Sequence, residues 1–204
     1  MDRRAHWENV FETKDTQKVS WYRSIPKTSM DLIRKHAESK SDTILDMGGG
    51  DSNLPDFLIK ENYSNVMVAD ISSAALGASQ KRMGKQAEVI KWMNTDVLDM
   101  RLENLLNVWH DRAVFHFLNA TEDQVKYVKV AAESIKPGGI LLLATFALDG
   151  GPLKCSGLEV ARHDSDSIKR LFGPVFDLLE SFYELHTTPS GSEQKFVWFV
   201  LKKS

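Results

Sequence analysis

The stretch TILDMGGGDSNLPDFL, residues 43–58, limits what this chain can fold into more than any other. An apolar run ends beside Asp46, meets Gly48, Gly49 and Gly50, and resumes in a helical pattern. Glycines after a strand permit a tight turn and let a ligand approach the backbone. The helix that follows offers its free N–H groups. Such a loop is a weak sign alone. Here a second apolar run, NVMVAD (65–70), follows and ends on Asp70, where an acid can accept hydrogen bonds from ribose hydroxyls.

Beyond that unit, strand-like and helix-like segments keep alternating, the pattern of a parallel sheet with crossover helices. Strands are predicted at DTILDM (42–47), NVMVAD, within EVIKWMNTD (88–96), in the first half of LNVWHDRAVFHF (106–117) and at ILLLATFAL (140–148). Helices are predicted at MDLIRKHAES (30–39), LPDFLIKEN (54–62), SAALGASQKRMG (73–84) and TEDQVKYVKVAAESI (121–135). Ser72 or Ser73 and Thr121 are expected as caps, and KPGG (136–139) as a helix stop and turn. The cluster Lys81, Arg82, Lys85 reads as the solvated end of a helix. VFDLLESFYEL (175–185) and KFVWFVLKK (195–203) are separated only by HTTPSGSEQ, too short for a parallel crossover, so they pair antiparallel. The fold class is α/β: a Rossmann-like, doubly wound, seven-stranded sheet, mostly parallel, with an antiparallel C-terminal hairpin strand. Residues 1–204 read as one domain. In it, 1–41 form a cover carrying Trp7, Phe11, Trp21 and Tyr22, and 42–148 the ligand-binding core. Residues 149–163, poor in regular structure, form a substrate lid and 164–204 a helix and hairpin.

Composition removes several alternatives. A net charge of -2 without a Lys/Arg stripe gives no electrostatic footprint for nucleic acid or anionic membrane. Cys155 is the only cysteine, so no intrachain disulfide forms. The N-terminus is too polar for a secretory signal and no apolar run is long enough for a bilayer; a cytoplasmic location is expected. The scattered histidines have no zinc-ligand spacing, and no metal is expected.

Two cofactors suit the loop. The dinucleotide fingerprint places a third glycine where Asn53 stands, and Asp51 would face a pyrophosphate of like charge. S-adenosylmethionine carries no phosphate, and its sulfonium and ammonium are cationic. Asp46 and Asp51 favour it.

From residue 42 onward the chain resembles the class I S-adenosylmethionine-dependent methyltransferases, through ILDMGGGDS, VMVADIS, MNTDVLD, VWHDRAVFHFL and IKPGGILLLATF in order. HWENVFETKDTQKVSWY is similar to small bacterial members, whose aromatic pair closes over the cofactor. The loop departs from the commoner E/D-x-G-x-G form by its extra central glycine. The resemblance implies S-adenosylmethionine as cofactor and S-adenosylhomocysteine as product. It implies that Asp46, Gly48, Gly49 and Gly50 lie against the methionine part, Asp70 on the ribose with Ile71 beside it, and Asp96 and Val97 at the adenine, with Trp21 and Tyr22 closing over the cofactor, as a cation–π contact to the sulfonium or as a hydrophobic latch.

Methyl transfer is an in-line displacement helped mainly by positioning, and a base is needed only when the acceptor arrives protonated. Candidates lie at the carboxyl ends of strands. His116 is a base, a substrate contact or a packed loop residue, and Asp111 orients a ligand or caps the next turn. Arg112 binds a substrate carboxylate or pairs with Asp111. Phe146, Cys155, Arg162 and His186 are the remaining substrate-side candidates; Cys155 is otherwise a small packing residue, and His186 an exposed hairpin-tip histidine. The expected reaction is methylation of a small-molecule acceptor. Three rivals stand beside it. A protein lysine methyltransferase shares the core, but HDRAVF replaces an N/D-P-P-Y motif. A non-catalytic nucleotide-binding module would bind cofactor without turnover. A nicotinamide oxidoreductase requires a parallel final strand. Oligomeric state is not readable.

Overall fold

The structure, a computed structural model, describes residues 2–102 and 105–204. The glycine unit forms β1 (Thr43–Met47), α3 (Leu54–Lys60) and β2 (Asn65–Asp70), preceded by α1 (Arg3–Thr13) and α2 (Lys27–His36). Then follow α4 (Ser73–Met83), β3 (Lys91–Asn94), β4 (Leu106–Arg112), α5 (Thr121–Ser134) and β5 (Ile135–Phe146). The chain closes with β6 (Lys154–Cys155), β7 (Leu158–Glu159), α6 (Ser165–Phe172), β8 (Phe176–Thr187) and β9 (Glu193–Lys203).

Seven strands make one sheet in the order β3-β2-β1-β4-β5-β9-β8. β1 pairs in parallel with both β2 and β4, so Met47 stands beside Ala69 on one side and Asp111 on the other. Strand order reverses about β1, and ligands bind such sheets outside the carboxyl ends at that reversal. β9 runs antiparallel to both β5 and β8, as the short HTTPSGSEQ connection requires and against the parallel final strand of a nicotinamide oxidoreductase. Side chains alternate across the sheet. Leu45 and Met47 join Tyr127, Ile168 and Phe172 in one core; Ile44 joins Met30, Leu58, Leu76 and Trp198 in the other.

Four local expectations are corrected. The helix does stop before KPGG, α5 ending at Ser134, but residues 136–139 form no separate turn: β5 begins at Ile135 and carries them as an irregularity, where its register against β4 shifts. Ala120, not Thr121, is the N-cap of α5, and its first turn holds Glu122 and Asp123, which complement the helix dipole. The stretch 149–163 contains the small ribbon β6–β7. Arg82 is not a solvated helix end; it reaches Asp51 at 2.6 Å, Asp56 at 2.8 Å and the Ser52 carbonyl at 2.7 Å, and so ties α4 to the glycine loop. Among the described residues no helix is long and apolar enough to cross a membrane.

Candidate active site

Each of the three glycines answers to a different neighbour. Gly48 has φ +68°, which L side chains rarely adopt, and a Cβ there would strike Val114. A Cβ on Gly49 would strike the Asp46 carboxylate, and one on Gly50 the Asp70 carboxylate and Ala75. Both acids therefore press against bare backbone at the mouth of the sheet.

Asp70 is buried. Its Oδ2 accepts from Gly50 N at 3.0 Å and its Oδ1 from Ser72 N at 2.8 Å. Burial pushes its carboxyl up to about 6 despite those two bonds. Asp46 is 2% exposed; Oδ1 meets His110 Nδ1 at 2.7 Å, while Oδ2 is enclosed without a partner among the described residues. His110 Nε2 in turn meets Ser29 Oγ at 2.9 Å.

A cleft with about 860 Å³ of space, including solvent at its mouth, runs across the carboxyl ends of β1, β2 and β4. One end is lined by Asp70, Ile71, Thr95, Asp96 and Val97, the other by Trp7, Phe11, Arg112, Phe117, Phe146 and Phe196. Cys155 also reaches it from β6. A second recess lies beside it, against Asp46, Gly49, Tyr22, Arg23 and His110; the two share Phe11, Trp21, Gly48 and Arg112.

The N-terminal segment closes the cleft from above. Trp7 meets Phe117 with ring centroids 4.9 Å apart and Trp21 at 5.9 Å. The polar face of α1 fixes it in place. Glu8 accepts from Ser72 Oγ, Ser73 N and Ser73 Oγ at 2.7 Å each and from Ala74 N at 3.0 Å, capping α4 from another helix. Partial burial pushes the Glu8 carboxyl up, but the bonds from Ala74, Ser72 and Ser73 outweigh it and hold it down at about 2. Arg4 donates to the Ile71 carbonyl at 2.7 Å, and Arg3 pairs with Asp96 at 3.3 Å.

The expected site residues divide accordingly. Gly48, Asp70, Ile71, Asp96, Val97, Trp21, Arg112, Phe146 and Cys155 come together in the main cleft. Tyr22, Asp46 and Gly49 line the recess, and Gly50 sits just behind, bonded to Asp70. Asp51 is tied to Arg82, which occupies the charge that the sequence offered to a ligand. Asp111 and His116 line neither space. The Asp111 carboxylate is fully buried and accepts from Tyr127 OH at 2.7 Å and Val114 N at 2.9 Å, so it caps the turn after β4. It does not pair with Arg112; the guanidinium lies over Phe196 instead. His116 stacks on Phe146, with centroids 4.5 Å apart, and burial takes it down to about 3, leaving a neutral packed ring. Cys155 is a buried thiol pushed up by that burial, the packing alternative. Arg162 donates to the Gly151 carbonyl at 3.3 Å within the lid and does not line the cleft. His186 is buried, not exposed at a hairpin tip: its Nε2 donates to the Ser20 carbonyl at 2.7 Å, and burial lowers it to about 4.

Sequence reading missed Glu8, Arg3, Arg4, Arg23 and Ser29, and misplaced Arg82 as a solvated helix end. The one signal for the four charged residues among those missed is charge beside aromatics in a segment that precedes the sheet. Among the described residues no group of His, Cys, Asp and Glu is gathered to hold a metal ion.

Residues 44–139 match the sequence model of a methyltransferase-domain family. No curated protein matches the chain. Among the solved structures that share its fold are the following three. A protein from work on the conversion of a disulfide bond into a thioacetal group during echinomycin biosynthesis is 13% identical, with a TM-score of 0.80 over 98% of this chain and 92% of that one. The 1,6-didemethyltoxoflavin-N1-methyltransferase of Burkholderia thailandensis, solved with 1,6-didemethyltoxoflavin and S-adenosylhomocysteine, is 13% identical, with a TM-score of 0.77 over 98% and 87%. The N-methyltransferase NodS of Bradyrhizobium japonicum WM9, solved with S-adenosylhomocysteine, is 14% identical, with a TM-score of 0.72 over 99% of both chains. At these identities the likeness is one of fold.

Proposed function

We propose, from the methyltransferase-domain family that residues 44–139 match and from the shared fold, that the chain is a class I S-adenosylmethionine-dependent methyltransferase and that it methylates a small molecule. The observation that carries this reading is the aromatic latch. Trp7 on α1 touches Phe117 beyond β4, so the acceptor end is a covered chamber and not a groove along which a polypeptide could lie. The toxoflavin-precursor enzyme of like fold supports it by the small molecule in its name.

The cofactor supplies an electrophilic methyl on a sulfonium, and the residues present fit it. Backbone at Gly48–Gly50 is bare, and Asp46 Oδ2 and the Arg23 Nε in the recess are enclosed and unpartnered among the described residues, a complement to ammonium and carboxylate. In this reading Asp70 accepts from the ribose, Ile71, Asp96 and Val97 border the adenine, and Trp21 with Tyr22 covers the charged centre. With the cofactor bound, an acceptor's lone pair would displace sulfur from that methyl in line, the carbon–sulfur pair returning to sulfur. Among the described residues no carboxylate or imidazole lines the acceptor end: Asp111 and His116 lie behind its wall. Positioning and exclusion of water supply the acceleration. A lone buried thiol suits a reducing compartment, and we assign the enzyme to the cytoplasm.

The test is transfer from labelled S-adenosylmethionine into a cell extract separated by size. Label in the small-molecule fraction is expected. Label confined to a discrete protein band would give the reaction to a protein acceptor, and binding with no label anywhere would make the chain a non-catalytic module.

A further inference from the structure

The acceptor chamber holds a cation whose hydrogen-bonding capacity the fold leaves unused. Arg112 stands at the end of β4, and its Nη1 donates to the Trp21 carbonyl at 3.1 Å. Its Nε and Nη2 are closed off from bulk water and have no partner among the described residues. No carboxylate there forms an ion pair with it: Asp46 is engaged by His110, and Glu184 by Arg23, Thr28 and Trp198. Burial, with Arg23 nearby, brings the guanidinium down to about 10, so it stays charged at neutral pH. A buried charge without a partner is costly, and its retention in a binding cleft points to a partner that arrives from outside.

The chemistry of that partner follows from the two free atoms. Nε–H and Nη2–H are the parallel pair on one edge of the guanidinium, the edge that receives both oxygens of a carboxylate. Around it the walls are flat and apolar: Trp7, Phe11, Trp21, Phe117, Phe146 and Phe196. Phe196 already lies beneath the cation, 4.6 Å from its centre. The recess has an arginine of its own, Arg23, which does not line the main cleft. The cofactor's carboxylate therefore has a donor elsewhere.

Resting on the small-molecule methyltransferase reading, we propose that the acceptor is a flat aromatic or heteroaromatic carboxylate whose carboxylate is held edge-on by Arg112. A carboxylate whose two oxygens each accept an N–H from the same cation is a poor nucleophile. The carboxylate is thus the handle, and the methyl goes to another atom of the acceptor. The same anion offsets the repulsion between guanidinium and sulfonium in one cleft.

Calorimetry on the full chain saturated with S-adenosylhomocysteine tests this. The probes are benzoate, 2-naphthoate, quinoline-2-carboxylate and indole-3-carboxylate, each paired with its carboxamide. At least one carboxylate is expected to bind tenfold or more tightly than its amide, and Arg112→Gln should bring that ratio near one. S-adenosylhomocysteine should bind the variant within threefold of the parent, which also shows that the variant is folded. Parity of every acid with its amide in the parent chain overturns the proposal without touching the methyltransferase reading. So does an Arg112→Gln variant that binds S-adenosylhomocysteine tenfold more weakly but 5′-methylthioadenosine as before, because Arg112 would then hold the cofactor's own carboxylate. If S-adenosylhomocysteine does not bind the parent chain, the methyltransferase reading falls, and this proposal with it.

Discussion

Asp70 combines two demands in one carboxylate. It organises the site by accepting from Gly50 and Ser72, and it still borders the cleft. Its folded value, about 6, lies above the ordinary 3.8 because burial opposes the charge. A raised carboxyl favours the protonated folded chain, so this contribution to stability is fully present below about pH 4 and is lost as pH rises through about 6. Ligand hydroxyls that donate to Asp70 favour its ionised form, which gives binding the opposite sense. Affinity for S-adenosylhomocysteine should fall about tenfold between pH 7 and pH 5. Asp70→Asn should flatten that profile, and Asp70→Ala should weaken binding by about 1–3 kcal/mol. Titration calorimetry at both pH values decides it; unchanged affinity in Asp70→Ala would remove Asp70 from the ribose. At this scale the sequence was uneven. Asp70 and the glycines were legible because loop geometry leaves few alternatives. Asp111 and His116 misled because a strand end puts polar residues near a site, while their orientation toward Tyr127 and Phe146 depends on packing that no spacing records.

Among the elements, α1 is the least self-sufficient. Its one buried residue is Val10, so it lacks the apolar stripe that normally docks a helix. Polar contacts and aromatic rings hold it instead, chiefly Glu8 on the first turn of α4. The Glu8 carboxyl is held below its unfolded value of about 4.5, so its contribution is fully present above that pH and is lost as pH falls through about 2. Glu8→Ala removes an N-terminal cap worth about 1 kcal/mol from the cover and not from the floor of the cleft. Dissociation of S-adenosylhomocysteine, followed by stopped flow, should then speed up about fivefold, with the melting temperature of the ligand-free chain little changed. A dissociation rate equal to the parent's would show that α1 does not gate the cleft. The helices and strands of the core were readable because each carries its own periodicity and stop signals. The cover was readable only as an aromatic-rich segment, since Glu8 and its partners on α4 lie far apart in the chain.

The whole molecule is organised around the strand reversal at β1, and the antiparallel pairing of β9 decides which ligand that reversal serves. A short hairpin between β8 and β9 sets the pairing, and the sequence reveals it because nine residues rich in turn formers cannot cross a sheet. With the final strand antiparallel, the glycine loop lacking its third spaced glycine and Arg82 neutralising Asp51, the cleft is built for a cofactor without a pyrophosphate. The cover spans the cleft from α1 to the turn after β4, so a ligand beneath it touches both the cover and the sheet ends. A ligand that binds only the folded chain stabilises it by about 2.7 kcal/mol at a hundredfold excess over Kd. For a chain of this length that corresponds to a rise in Tm of about 5–11 °C. S-adenosylhomocysteine at that excess should produce such a shift in a thermal melt, while NAD at the same concentration should move Tm by less than about 1 °C. A shift with NAD and none with S-adenosylhomocysteine would mean that the reversal at β1 serves a dinucleotide after all, and that the antiparallel strand is no guide to the ligand of this sheet.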